Sequence, residues 1–415
     1  MRAIVCEQLG SYRDLAVAER DVPSPGPGQV RLRAAYASVS FAITLVIAGR
    51  YQRRSEPPFV PGSEVSGVVE AIGEGVDAFA VGDRVVAIVR EGGYAEHVVA
   101  EATTVYPVPD GLGLDRAVNV PISYGTAYAG LIWRAGLAAE ETLLVHGAAG
   151  AIGLAAVQIG AMTGARVIAT ASSDAKCEAA RAAGAAHTIN YARSGFRDAV
   201  KELTDGAGAD VVFDPVGGDV LGESLRATAV EGRVVTAGFA SGSIPQVPAN
   251  ILLVKNISLL GLNFSEYFGW GVRDRSVEFA PRLKASMATL LEAAASGRIA
   301  PVIGHRRPLE EVARFLGGTA PVDAEGKTIG LDDISAQPRQ CIEVIKAALE
   351  QAGSGLHHVV RTRVILTDID NWKAAIDVRK EYFREIRPVD TIMAVDRFVN
   401  PEWLIEIEAD AVIDQ

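Results

Sequence analysis

Residues 142–153, with the sequence TLLVHGAAGAIG, decide the fold of this chain. The apolar first half predicts a buried strand, and Gly147, Gly150 and Gly153 follow where the chain turns into a helix. Glycines in such a turn let the backbone approach a pyrophosphate, which the free N–H groups and the dipole at the helix start stabilise. The stretch predicts a dinucleotide site, with a glycine-rich turn of another α/β protein as the alternative.

The residues after this turn continue the strand–helix alternation of a mononucleotide-binding half. A second strand is predicted at 165–170, a helix at 175–184 and a third strand at 187–191. The glycine spacing differs by one position from the common dinucleotide-binding fingerprint. The prediction of a dinucleotide site therefore depends mainly on the order of these elements. The residues expected to hold the pyrophosphate are Gly147, Ala148, Ala149, Gly150, Ala151, Ile152 and Gly153.

The end of the second predicted strand indicates which dinucleotide binds. An NAD site usually places an acidic residue there for the ribose 2′-OH, whereas this strand ends in small and hydroxylated residues. We expect Ser172, Ser173 and Lys176 to bind a 2′-phosphate and Tyr191 to lie along the adenosine, so the predicted cofactor is NADPH. Asp174 fits better as a helix N-cap than as a ribose ligand. The alternative for Lys176 is a solvated helix lysine.

Composition excludes several classes of function. The chain has 415 residues, a net charge of −11 and 49% hydrophobic residues, which is sufficient for two or three domains with real cores. The negative charge argues against nucleic acid and an anionic membrane as partners. The sequence MRAIVCEQ at the start predicts a short strand rather than a signal segment, and no apolar run reaches membrane-spanning length. We expect a cytoplasmic protein.

Cysteine and histidine placement predicts no metal site. The 3 cysteines and most of the 6 histidines are scattered, and the pair His357–His358 alternates faces on a predicted strand. A disulfide framework is equally unexpected.

Residues 1–115 are rich in short strands, glycines and prolines, which predicts a β-rich domain. Together with the glycine turn, their motifs resemble those of the zinc-independent quinone oxidoreductase branch of the medium-chain dehydrogenase/reductase superfamily. The matching motifs are GRY at 49–51, PFVPGSEVSGVVE at 58–70, VGDRV at 81–85, GGYAE at 92–96, TAY at 126–128, DPVGG at 214–218 and GFASG at 238–242.

This resemblance implies an α/β fold class with two parts in the first 316 residues. A GroES-like, β-rich catalytic domain is expected at 1–116 and 263–316, and a Rossmann domain with a doubly wound parallel sheet at 117–262. The active site is expected in the cleft between them. By the same resemblance, Gly238, Phe239 and Asn263-Phe264 lie against the nicotinamide, although Phe239 and Phe264 are equally consistent with simple core packing.

The resemblance also implies the chemistry. Zinc-using relatives have Gly-His-Glu where this chain has Gly62-Ser63-Glu64, and their four-cysteine loop is absent. Without a metal, the site suits acceptors that delocalise incoming electrons, such as quinones and α,β-unsaturated carbonyls. Tyr51 is expected to orient or protonate the substrate, with Thr126 beside the nicotinamide. The alternative for Tyr51 is an aromatic residue of the cleft wall.

One substrate loop departs from the family pattern. The family commonly has Asn-x-x-Asp where this chain has Ser40-Phe-Ala-Ile43, so we expect Ser40 and Ile43 to line a substrate cleft of altered polarity.

The C-terminal third does not continue the reductase pattern. Predicted helices at 335–352 and 371–383 and strands at 359–366, 391–395 and 404–412 give the order αβαββ. With Gln337, VILTD at 364–368 and IEIEA at 405–409, this order resembles a small α+β domain of the reactive-intermediate deaminase (Rid, YjgF-like) family at 317–415. Its leading strands are missing, and residues 326–331 are a candidate to replace the reductase's missing terminal strand.

The resemblance places the Rid family's catalytic arginine at Asp390, where a negative charge would repel a substrate carboxylate. Glu406 matches the family's water-positioning glutamate, although a solvent-facing or interface role is the favoured alternative. Arg387 would replace the lost arginine only on a different backbone path. The residues leave three roles open for the module, namely control of assembly, cover for an edge of the catalytic domain, or a fusion remnant.

The sequence therefore predicts an NADPH-dependent, zinc-independent reductase of quinones or α,β-unsaturated carbonyls, with an unsaturated thioester also open. A homo-oligomer, with a dimer favoured, is expected from the family. The alternatives are an NADPH-binding sensor or scaffold without turnover, and an imine or enamine deaminase acting through the C-terminal module.

Overall fold

The computed structural model describes residues 1–312, 328–351, 355–395 and 402–411. The chain divides into two compact units, Met1–Ala313 and Arg314–Gln415. Each unit encloses its own hydrophobic core, so each is stabilised by burial of its own apolar side chains.

The first unit begins with a β-rich part. Its strands are β1 (Arg2–Val5), β2 (Ala16–Glu19), β3 (Gln29–Ala37), β4 (Glu64–Ile72), β5 (Arg84–Ile88), β6 (His97–Glu101) and β7 (Val105–Pro107). β1 pairs with β2, and the others form an antiparallel sheet in the order β6-β3-β4-β5-β7. Helix α1 (Phe41–Ile47) follows β3 and buries Ile43, Val46 and Ile47. β-Branched residues at alternate positions, such as Val30 and Val85, fill the core.

A parallel sheet forms the middle of this unit. Its strands are β8 (Thr142–Val145), β9 (Arg166–Ala171), β10 (His187–Asn190), β11 (Ala209–Asp214), β12 (Thr228–Thr236) and β13 (Ser258–Gly261). The intervening helices are α4 (Ala151–Thr163), α5 (Asp174–Ala182), α6 (Phe196–Leu203), α7 (Asp219–Ala227) and α8 (Ala249–Lys255). The order is β10-β9-β8-β11-β12-β13, so the direction of winding reverses between β8 and β11. The expected doubly wound sheet is confirmed, and its ligand crevice lies at the carboxyl ends of these two strands.

Three helices pack where the two sheets meet. They are α2 (Leu114–Ala117), α3 (Gly125–Tyr128) and the long α9 (Ser276–Ala295). A Cβ at Gly125 would lie 2.7 Å from both Phe264 Cζ and Met287 Cε. Because only glycine allows this approach, α3 packs tightly against the aromatic segment after β13, and this contact fixes the position of the next residue, Thr126.

The second unit is a small α+β fold. Its helices are α10 (Ala336–Gln351) and α11 (Trp372–Phe383), and its strands are β14 (Val359–Leu366), β15 (Val389–Ala394) and β16 (Ile405–Ala411). β14 is central, parallel to β15 and antiparallel to β16. Ile342, Val364, Phe383 and Ile407 are among the residues of its core.

The expected element order is confirmed in both units, with small shifts at the ends. The helix expected from residue 175 begins at Asp174, and the strand expected from residue 391 begins at Val389. Residues 326 and 327 of the suggested replacement strand, residue 352 of the helix expected at 335–352 and residue 412 of the last strand lie outside the described residues. The described part of the suggested replacement strand, residues 328–331, forms a bridge, bends and a turn rather than a strand. Among the helices that the structure describes, none is long and apolar enough to cross a membrane.

Candidate functional site

The glycine turn between β8 and α4 forms a backbone cradle. Gly147 has a φ of 57°, in the left-handed region, and Gly150 is the N-cap of α4 without a side-chain cap. A Cβ at Gly153 would lie 2.2 Å from the Gly147 carbonyl oxygen and 2.8 Å from Ala148 Cα. Glycine is thus required sterically, and Gly150 and Ala151 are exposed where a pyrophosphate would approach.

The carboxyl ends of β9 and β10 bring the predicted 2′-phosphate residues together. Lys176 Nζ donates a hydrogen bond to Ser172 Oγ at 3.0 Å, and Ser173 Oγ accepts one from the Lys176 backbone N–H at 3.3 Å. Tyr191, 49% exposed, follows β10 and donates its backbone N–H to the Ala171 carbonyl at 3.1 Å. A lysine and two hydroxyls next to the cradle fit a phosphate on the ribose.

The sequence predicted Asp174 as the N-cap of α5, and this prediction is wrong. Ser173 is the N-cap. Asp174 is the first helical residue, and its carboxylate accepts a hydrogen bond from Asn190 Nδ2 at 2.7 Å and pairs with Arg193. The acidic group nearest the ribose position is therefore already engaged. Sequence reasoning missed Arg193, for which the only signal was a basic residue two positions after Tyr191.

A cavity of 360 Å³ adjoins the cradle, with Gly147, Thr170, Tyr191 and Val216 in its lining. His146, also in the lining, is buried, and its two ring nitrogens are hydrogen bonded to the hydroxyls of Thr170 and Ser224, each at 2.8 Å. Burial lowers the pKa of His146 to about 3, so the ring is neutral near pH 7. The space suits the adenosine side of a dinucleotide.

The ends of β11, β12 and β13 supply the residues expected near the nicotinamide. Gly238 and Phe239 follow β12, and Asn263 is exposed after β13. Phe239 is 39% exposed and covers Gly217, whose added Cβ would lie 2.6 Å from Phe239 Cδ1. Phe264, in contrast, is buried. The core interpretation therefore holds for Phe264 and not for Phe239.

Asp214 organises the turn that Phe239 covers. Its Oδ1 accepts the backbone N–H groups of Val216 and Gly217 at 2.8 and 3.0 Å. Its Oδ2 is buried without a hydrogen-bond partner, and burial raises its pKa. The carboxyl group thus fixes the DPVGG segment at the switch point of the sheet.

The expected catalytic and substrate residues lie on different elements. Thr126 is 7% exposed in α3, and Tyr51 is half-buried in the loop after α1. Ser40 is the N-cap of α1 without a side-chain cap bond, which leaves its hydroxyl available to a ligand. Ile43 is 3% exposed and packs in the core, so it contributes shape rather than polarity.

Sequence reasoning missed a role for Glu64. This buried residue begins β4, and its Oε1 accepts a hydrogen bond from Ser38 Oγ at 2.5 Å, while its Oε2 accepts one from the Ile122 backbone N–H at 2.9 Å. Burial raises the pKa of Glu64 to about 7. The motif Gly62-Ser63-Glu64 was the only signal.

In the part of the chain that the structure describes, no group of three His, Cys, Asp or Glu side chains is placed to hold a metal ion.

Comparison with known proteins assigns the family. The model of the alcohol dehydrogenase GroES-like domain matches residues 26–110, and the zinc-binding dehydrogenase model matches residues 151–277. Over 312 residues the chain is 39% identical to quinone oxidoreductase-like protein 2 of Bos taurus, covering 75% of this chain and 86% of that protein. The chain belongs to the quinone oxidoreductase-like family. It is thus an oxidoreductase of the medium-chain dehydrogenase/reductase type with a nicotinamide cofactor, and the expected GroES-like and Rossmann fold is confirmed.

Two further relatives agree. The quinone oxidoreductase-like protein 2 homolog of Nematostella vectensis is 44% identical over 264 residues, covering 63% of this chain and 72% of that protein. The crystal structure of Escherichia coli quinone oxidoreductase complexed with NADPH superimposes with a TM-score of 0.69 at 26% identity, covering 76% of this chain and 95% of that chain.

The second unit belongs to a different family. The endoribonuclease L-PSP model, which represents the Rid family, matches residues 311–413, so the expected fusion is confirmed. Asp390 forms an ion pair with Arg379 of α11, with Oδ2 and Nε 3.3 Å apart, and its Oδ1 accepts a hydrogen bond from Thr362 at 2.9 Å. Arg387 is exposed, and Glu406 is half-buried. Asp390 therefore has a structural partner within its own unit.

Proposed function

We propose that this chain is an NADPH-dependent reductase of quinones or α,β-unsaturated carbonyls that works without a metal ion. The observation that carries the proposal is the Lys176–Ser172 hydrogen bond at the end of β9, next to a glycine cradle that side chains would fill. A cation and hydroxyls at this position favour the phosphorylated dinucleotide over NADH. The cofactor-binding residues are those predicted from the sequence, with Arg193 as an additional cation close to them.

When bound, NADPH would supply the hydride. We assign Thr126 to a position beside the nicotinamide and Tyr51 to orientation or protonation of the substrate oxygen. Zinc-using relatives have histidine at the position of Ser63. The neutral hydroxyl of Ser63 is a poor ligand for zinc. A quinone or enone delocalises the electrons that arrive with the hydride, so its reduction requires no Lewis acid. The names of the relatives support the quinone class.

We further propose the domain limits given above, a homodimer, and a cytoplasmic location. Catalysis is assigned to residues 1–116 and 263–316, cofactor binding to 117–262, and the Rid-like module to 317–415. No specific observation favours deamination, because Asp390 is engaged by Arg379 at the position expected for the catalytic arginine.

Steady-state oxidation of NADPH with a panel of quinones and conjugated ketones tests this function. We expect turnover that a chelator does not reduce, and a preference for NADPH over NADH. Tight NADPH binding without turnover of any acceptor would instead support a sensor or scaffold. Loss of activity with EDTA and its return with zinc would contradict metal independence.

A further inference from the structure

Arg53 carries a positive charge that the protein leaves without a counter-ion. Its Nε and Nη1 are buried and have no hydrogen-bond partner, and no ion pair involves Arg53 among the described residues. Other shielded arginines of this chain have acidic partners, with Arg31 3.1 Å from Glu70 and Arg233 2.8 Å from Glu141. Arg53 is half-buried, and two shielded nitrogens without a partner are costly, so their retention calls for a compensating group.

The surroundings of Arg53 increase this cost. The guanidinium lies over the ring of Trp270, with Cζ 5.2 Å from the ring centroid, and this contact compensates the charge only in part. Burial, and next the positive charge of Arg90, lower the pKa of Arg53, whereas Glu91 opposes that shift without forming an ion pair. Ser55, two residues further along the same loop, is 4% exposed, and its Oγ also has no partner.

Contacts connect Arg53 to the catalytic elements on both sides. Tyr51 precedes it by two residues in the same loop. On the other side, the ring of Trp270 lies 5.3 Å from that of Phe268, which lies 5.0 Å from that of Phe264. Phe264 packs on Gly125, the neighbour of Thr126. Arg53 therefore lies where the loop of Tyr51 meets the segment after β13, beside the residues proposed to line the substrate cleft.

We propose that Arg53, assisted by Ser55, binds a carboxylate of the acceptor, so that the physiological substrate is an anionic enone or quinone. A carboxylate supplies the missing negative charge and accepts hydrogen bonds from both a guanidinium and a hydroxyl. This inference rests on the proposed reductase function and narrows its substrate class. It assigns Tyr51 and Thr126 to the reacting end of the acceptor and Arg53 to its anionic end.

A matched pair of acceptors tests the proposal. The enone trans-4-oxopent-2-enoate and its methyl ester share the conjugated carbons and differ in charge. For the wild-type protein we expect a higher kcat/KM with the acid, and for Arg53→Met a loss of roughly 10- to 100-fold with the acid alone. Arg53→Lys, which keeps the charge, should retain part of the preference. Arg54→Met, at the exposed neighbouring position, is the matched control and should resemble the wild type.

A binding measurement separates this inference from the proposed function. Calorimetric titration of the NADPH-loaded protein with the saturated acid 4-oxopentanoate requires no turnover, and we expect binding that Arg53→Met and Ser55→Ala weaken. If neither enone is reduced but this acid binds through Arg53, the reductase assignment fails while the anion site stands. Equal kcat/KM for acid and ester, or equal binding of 4-oxopentanoate by wild type, Arg53→Met and Ser55→Ala, would overturn the anion site. Should Arg53→Met not fold, Arg53→Lys and Ser55→Ala decide between the same outcomes.

Discussion

Glu64 accepts a hydrogen bond from the backbone N–H of Ile122 at 2.9 Å, across 58 positions of sequence. Through this bond, a carboxyl group of the β-rich sheet holds the π-helical turn Val120–Tyr124, which leads directly into α3 and Thr126. The other oxygen of Glu64 is held by Ser38, whose carbonyl accepts a hydrogen bond from Tyr94 Oη at 3.0 Å. Glu64 thus fixes the turn that carries Thr126, the residue that we propose to lie beside the nicotinamide.

Glu64 should make stability depend on pH. Burial raises its pKa from 4.5 to about 7, so the folded state binds more protons than the unfolded state between these values. We therefore expect this group's contribution to the free energy of unfolding to fall as pH rises from 4.5 to about 7. Urea unfolding at several pH values measures the free energy of unfolding. In Glu64→Gln this free energy should lack the part of the pH dependence that Glu64 contributes. An identical pH profile in both proteins would show that Glu64 titrates normally.

Lys176→Met should weaken NADPH binding by about tenfold or more and leave NADH binding nearly unchanged, because it removes a charge-assisted contact to the 2′-phosphate alone. Titration calorimetry with both dinucleotides measures the ratio. Lys284→Met, on the exposed face of α9, is the control. Equal weakening of both dinucleotides would place Lys176 outside the 2′-phosphate site.

Gly153→Ala should destabilise the protein by about 1–3 kcal/mol and weaken dinucleotide binding, because the new Cβ would meet the Gly147 carbonyl oxygen at 2.2 Å. Thermal unfolding and NADPH titration measure the two effects. Gly304→Ala, where nothing lies within 4 Å of the added carbon, should change neither. Wild-type behaviour of Gly153→Ala would mean that the turn is open rather than closely packed.

Asp390→Arg should destabilise the second unit and should not produce deaminase activity, although it restores the residue type expected by resemblance to the Rid family. The new cation would face Arg379, which is 9% exposed, and breaking a shielded pair of this kind costs about 3 kcal/mol. Asp377→Asn, which affects only an exposed pair with Lys380, is the control. Unfolding curves and ammonia release from a 2-imino acid measure the outcome. A stable variant that releases ammonia would refute this account.

Local sequence patterns predicted the mononucleotide-binding half, and the family resemblance supplied the rest of the fold, but neither predicted these contacts. The strand–glycine–helix pattern around Gly147 and the small residues before Lys176 are local signals, so the strand–helix alternation of β8 to β10 and the residues at the ends of β9 and β10 could be predicted. Asp174 was misassigned because Ser173 and Asp174 are both good N-cap residues, and only backbone geometry selects Ser173.

The missed residues depend on contacts between distant segments. Glu64 acquires its role from Ile122, and Arg379 meets Asp390 only when α11 packs against β15. Whether Arg53 has an acidic partner depends on all the segments that pack around it, including Trp270, which is distant in the sequence. No periodicity or spacing in the sequence reports such relationships.

We propose that Lys176 and Ser172 recognise the extra phosphate of NADPH. Calorimetric titration of the wild-type protein with NADPH and with NADH tests it most directly. We expect NADPH to bind at least about tenfold more tightly than NADH, with the difference shrinking as ionic strength rises. Equal affinity for the two dinucleotides would contradict it.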